Sequence, residues 1–162
     1  MNVVEMLQVE EDEIVAEALT AVGWLPHYDR DGAEVTRERL RALCRLVAGA
    51  IRSQDLGALV SHARRIARER HQAGYDRAEV TDAFSAVEQA IWHRALATLP
   101  ADQQTWALSL VGTALLHARE ALGRAFAEAA GSGAPSFVDL SPLFRGTPGK
   151  RDRFREDLVH PV

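Results

Sequence analysis

Gly74-Tyr75-Asp76-Arg77-Ala78-Glu79-Val80 is the stretch on which the fold turns. Asp76 and Glu79 have the spacing of a capping box, in which each side chain accepts from the other residue's backbone N–H at a helix start. Gly74, two residues earlier, is placed to close a preceding helix in a left-handed conformation. Beyond the cap, Val80, Phe84, Val87, Ile91, Ala95 and Leu96 recur at three- and four-residue steps, which predicts a helix with one apolar face. A helix stop and a helix start so close together describe a tight joint between two packed helices.

The same period runs outward in both directions. Ile14, Ala18, Leu19 and Val22 mark a helix over Val9 to Trp24, stopped by Gly23 and Pro26, with His27 to Gly32 read as a polar loop. Asp31 and Glu34 repeat the capping-box spacing ahead of a helix from about Ala33 to Arg52, with Val35, Leu40, Leu43, Val47 and Ile51 inward. Ser53 offers the N-cap of a third helix carrying Leu56, Leu59, Val60, Ala63 and Ile66. Pro100 suits the first turn of a fifth helix running to about Ala130, with Trp106, Leu110, Val111, Leu115, Ala118, Leu122 and Phe126 as its stripe. No segment alternates with period two, so a sheet is not expected.

From residue 131 the pattern changes. Residues 131–162 hold four of the six prolines, with apolar islands at Phe137–Leu140 and Leu143–Phe144. The expected organisation is one all-α bundle of five or six helices over 1–130. An extended, partly disordered Pro/Gly-rich tail over 131–162 would dock through Phe137, Leu140, Leu143 and Phe144.

Composition bounds the function. A chain of 162 residues with 47% hydrophobic and 26% charged residues can bury a core without staples. The single cysteine, Cys44, excludes an internal disulfide, and its place in an apolar repeat predicts an inert buried thiol. No apolar run reaches the length of a membrane span, and the acidic Glu10-Glu11-Asp12-Glu13 is unlike a secretory leader, so a cytoplasmic protein is expected. Of the 19 basic residues only Lys150 is lysine, a bias consistent with a GC-rich coding sequence.

Catalytic and metal motifs are missing. His117 and Glu120 run in the reverse order of the di-iron Glu-x-x-His motif, and Glu88 and His93 are five apart. There is no Gly-x-Ser-x-Gly elbow, phosphate loop or His-Glu-x-x-His. No enzyme activity, resident cofactor or metal is therefore expected. The alternative is a cofactor- or metal-binding helical protein in which His62, His71, His93 or His117 converge. Arg64, Arg65, Arg68 and Arg70 form the densest basic run, read as a solvated helix face or a docking surface. A net charge of −4 weighs against nucleic acid, which remains a further alternative through the 64–70 helix. Trp24, Trp92 and Trp106 are expected in the core, although Trp92 sits off its helix's main stripe and so widens the apolar face toward a partner.

In order, Trp24-Leu25-Pro26-His27-Tyr28-Asp29-Arg30, the helix with Arg39-Leu40-Arg41-Ala42-Leu43, Arg64-Arg65-Ile66-Ala67-Arg68-Glu69-Arg70, Gly74-Tyr75, and the helix through Ala83-Phe84 to Ala90-Ile91-Trp92 form a series. Over about residues 10–128 this series resembles the N-terminal domain of RsbR/RsbRD-type proteins, co-antagonists of the stress-signalling kinase RsbT. The resemblance implies a globin-like sensor fold without haem, often dimeric, that signals to an output module. The phosphorylatable domain that usually follows in that family has no counterpart in this chain, so the stressosome role does not carry over. The resulting expectation is a bacterial, non-enzymatic regulatory domain. It would be a homodimer that meets a regulatory protein partner through Trp92, Arg64, Arg65 and Arg68, gated by a small apolar ligand, with no membrane association.

Overall fold

The computed structural model describes residues 1–131, and Phe137, Leu140, Leu143 and Phe144 lie outside them. The described residues contain seven helices and no strand: α1 (Val3–Val9), α2 (Glu11–Val22), α3 (Pro26–Asp31), α4 (Ala33–Ser53), α5 (Gly57–Gln72), α6 (Arg77–Thr98) and α7 (Ala101–Gly131). The all-α expectation holds. The helix count exceeds five or six for two local reasons. Asn2 and Glu5 close a capping box that starts α1 ahead of the acidic run. Pro26 stands at the first position of α3, where its fixed φ and missing N–H favour a helix start, so His27–Asp31 is helical rather than a loop.

The joint at Gly74 forms as the spacing requires. Gly74 has φ of +87°, its N–H donates to His71 O (3.1 Å), and Tyr75 N–H donates to Arg70 O (2.9 Å). These are the two bonds of a Schellman motif. The Asp76–Glu79 capping box then opens α6. Two other expected caps do not form. The N-cap of α4 is Gly32, with no side-chain bond, because Asp31 is drawn to Arg39 and Tyr75 instead. Ser53 ends α4, its hydroxyl donating back to Gly49 O, and α5 starts at Gly57 after Leu56.

Helix α6 is the axis of the bundle. It buries Val80, Ala83, Phe84, Ala86, Val87, Ala90, Ile91 and Ala95, which together go most of the way around its circumference. It packs against α1, α2, α4 and α5. Glu88 of α6, itself buried, pairs with Arg119 of α7, so a carboxylate in this packed face is neutralised by a cation. Leu40, Leu43 and Val47 of α4 and Val111, Leu115, Leu122 and Phe126 of α7 complete the core from their predicted stripes.

The stripes overreach at their edges. Val35, Leu96 and Trp106 are exposed, as is Trp24. Trp24 is 71% exposed and Trp106 68%, while Trp92 is 39% exposed, so none of the three tryptophans is a core residue. Trp92 and Trp106 each lie one step beyond the arc that their helix turns inward, whereas Trp24 follows the end of α2 and is tied back to it by an indole N–H bond to Ala21 O (2.8 Å).

Candidate functional site

An open cleft of about 650 Å³ lies between α4 and α5. Its floor is apolar: Leu40 and Leu43 from α4, Ile66 from α5, and Val80, Ala83 and Phe84 from α6. Tyr28 of α3 closes one end, and Arg39, Arg70, Arg65 and His62 bring cationic or polar nitrogen to its walls. Glu34, Glu38 and Glu69 also line it. An apolar floor ringed by polar and charged side chains suits a small molecule with an apolar body and a polar end.

The closed end of this cleft leans on a polar knot organised around Tyr75. The Schellman turn folds Tyr75 back under α3 and α4, where the residue is buried. Its hydroxyl donates to Asp31 Oδ2 (2.5 Å) and accepts from Arg39 Nη1 (2.8 Å), which also donates to Asp31 Oδ2 (2.9 Å). The hydrogen bond from Tyr75, reinforced by Arg39 and Arg30, holds the Asp31 carboxyl well below the usual carboxylate range. Burial and the Asp31 bond push the Tyr75 hydroxyl up. Three guanidinium groups surround the Tyr75 ring, those of Arg30 (5.5 Å), Arg39 (5.8 Å) and Arg70 (5.7 Å from the centroid). Tyr28 meets the ring edge-on at 5.0 Å.

A second lock joins α3 to α6. His27 Nδ1 lies 2.5 Å from Glu79 Oε1, and the His27 backbone N–H donates to Glu79 Oε2 (3.1 Å). Burial favours the protonated Glu79 carboxyl, but the bonds from the Asp76 and His27 backbone and the His27 ring outweigh it and lower its pKa. Glu79 therefore serves both as the N3 residue of the capping box and as the anchor of α3.

Two groups in the cleft stand apart. Arg70 is only 9% exposed, yet its guanidinium makes no hydrogen bond among the described residues; its nearest carboxylate oxygen is Glu69 Oε2, at 3.8 Å. Burial, then the neighbouring Arg39 charge, lowers its pKa. Tyr28 is 3% exposed, and its hydroxyl likewise has no hydrogen-bond partner there. Burial raises the Tyr28 hydroxyl, with the Arg70 charge pulling the other way.

The residues singled out from sequence are distributed differently. Arg64, Arg65 and Arg68 are exposed on α5, as a docking face requires, but Arg70 at the end of that run turns inward. Arg65 Nη2 donates to His62 Nδ1 (3.0 Å). The four histidines do not meet: His62 lines the cleft, His71 packs edge-on against Phe126, His93 pairs with Glu17, and His117 lies 4.0 Å from Glu120. Among the described residues, no three His, Cys, Asp or Glu side chains gather as a metal site demands. Cys44 is buried, and burial pushes its thiol up to about 12. No helix among the described residues is long and apolar enough to cross a membrane.

Sequence reasoning passed over Tyr28, Asp31, Arg39 and Tyr75 as site residues. The available signal was Pro26 as a helix start, which puts His27, Tyr28 and Asp31 on one short helix facing the Gly74 joint. Comparison with protein-family models, with curated proteins and with solved structures finds no match to this chain.

Proposed function

We propose that this chain is a non-enzymatic regulatory domain, in which a small molecule with an apolar body occupies the α4–α5 cleft and governs contacts with a protein partner. The observation that carries the reading is the cleft itself, with an apolar floor from three helices. The resemblance to RsbR-type sensor domains supplies the class: a globin-like bacterial sensor bundle without haem, working in stress signalling as a homodimer in the cytoplasm. The exposed pair Trp92 and Leu96, one turn apart on α6, supports an apolar contact with a second copy. The exposed Arg64, Arg65 and Arg68 suit an acidic partner surface.

Native mass spectrometry of the purified chain, beside its denatured mass, tests this. A dimer, with or without a small organic adduct that denaturation releases, is the expected result. A bare monomer removes the homodimer, and a bound metal or coloured cofactor overturns the reading as a whole.

A further inference from the structure

The α4–α5 cleft holds a guanidinium and a hydroxyl that make no hydrogen bond among the described residues. Neither the Arg70 nitrogens nor the Tyr28 hydroxyl oxygen is sealed from solvent, so both stay open to a ligand entering the cleft. Arg39 is satisfied by Asp31 and Tyr75, and Arg65 donates to His62. Arg70 has only the face of Tyr75 and the distant, mostly exposed Glu69 carboxylate, and neither accepts its N–H groups at hydrogen-bond distance. Tyr28 repeats the pattern on a neutral group: its backbone carbonyl accepts from Thr36, but its hydroxyl bonds nothing among the described residues. Both residues are buried and both line the same cleft.

We propose that the cleft binds an organic monocarboxylate with an apolar body, its carboxylate taken by the Arg70 guanidinium and the Tyr28 hydroxyl. The proposal rests on the cleft being a ligand site and adds the chemical class of the ligand. A carboxylate matches the fork of a guanidinium, and the Tyr75 ring, 5.7 Å from the Arg70 guanidinium carbon, supports it from one side. The charge of the ligand is set by the walls. Glu34, Glu38 and Glu69 balance Arg39, Arg65 and Arg70 on the walls, so a ligand with one negative charge is opposed less than a dianion such as a phosphate monoester. The floor of Leu40, Leu43, Ile66, Val80, Ala83 and Phe84 takes the rest of the molecule. The cleft volume of about 650 Å³ accommodates an aliphatic or aryl acid of middling size.

The test is calorimetric titration of the full chain with decanoate, kept below its micelle concentration, and with decanol, which has the same body without the carboxylate. Decanoate should bind at least about tenfold more tightly than decanol, the advantage expected of a charge-assisted pair. Arg70→Met should remove that advantage and leave decanol unchanged, and Tyr28→Phe should reduce it several-fold. Arg70→Lys, which keeps the charge without the fork, guards against a misfolded Met variant and should fall between the two. Ala42→Trp, a plug at the half-buried cleft wall, should block both probes. Equal binding of decanoate and decanol, both blocked by the plug, overturns the carboxylate while the cleft stands as an apolar site. Binding that survives the plug, or no binding of either probe, overturns the cleft as well. A loss of thermal stability in Arg70→Met with decanoate affinity unchanged assigns Arg70 a structural role and overturns the proposal.

Discussion

The backbone N–H of Tyr75 donates to the carbonyl of Arg70 at 2.9 Å, and the ring of the same tyrosine lies 5.7 Å from the Arg70 guanidinium. Tyr75 therefore ends α5 through its main chain and lies against the last cation of that helix through its side chain. The hydroxyl beyond the ring reaches Asp31 and Arg39, so one residue ties the end of α5 to α3 and α4, and its position depends on the turn before it.

That turn makes Gly74 the first test. At φ of +87° an alanine is strained, although its Cβ would find nothing closer than His27 Nε2 at 3.7 Å. The cost is conformational rather than steric. Gly74→Ala should lose about 1–2 kcal/mol in urea unfolding, and Gly74→Asn less, because asparagine tolerates the left-handed region. Equal losses for the two variants would mean that side-chain crowding, not φ, dominates.

Asp31 gives the knot a pH dependence of known sign. Its folded carboxyl titrates below the unfolded value, so its contribution is fully present above about pH 4 and is lost as pH falls through the lower folded value. Asp31→Asn should cost about 1–3 kcal/mol at neutral pH, the range for hydrogen bonds to a charged group. The gap between wild type and variant should narrow steadily below about pH 4. Glu79, whose pKa is also lowered, titrates in both proteins and cancels in the difference. A gap that stays constant from pH 7 to pH 2 would show that Asp31 acts through neutral hydrogen bonds alone.

The sequence was most legible where one local signal decided the structure. The Asp76–Glu79 box, the Gly74 stop and the stripes of α4, α5 and the middle of α6 depend on contacts within a turn or on period alone. It was least legible where partners come from far along the chain. Asp31 has capping-box spacing with Glu34, but Tyr75, 44 residues away, offers it a stronger donor. Arg70 continues a basic run whose other members are solvated, and only the packing of α5 against α4 and α6 turns it inward. Trp24 and Trp106 show a further gap: periodicity marks an apolar arc without fixing where that arc ends.

Cys44 provides a probe of local opening. With its pKa raised from 9.0 to about 12, the thiolate at neutral pH is roughly a thousandfold scarcer than in the unfolded chain. The native protein should therefore react with a disulfide reagent only as fast as it opens, and urea should release fast single-thiol labelling. Rapid labelling of the folded protein would show that α4 separates from α1 and α2 far more readily than its burial implies.

Trp92 tests the proposed homodimer directly. It is the least exposed of the three tryptophans at 39%, and Leu96 stands beside it on the same face of α6. The pairs His93–Glu17 and Arg94–Glu10 follow it in sequence, tying α6 to the middle of α2 and to the α1–α2 junction. A tryptophan at the centre of an apolar contact is commonly worth 2 kcal/mol or more on truncation. Trp92→Ala should thus weaken self-association by more than tenfold in sedimentation velocity. Trp106→Phe, exposed on α7, should leave it unchanged and alter stability by no more than about 0.5 kcal/mol. The opposite ranking would move the contact to α7, and an unchanged association constant in both would remove tryptophan from the interface.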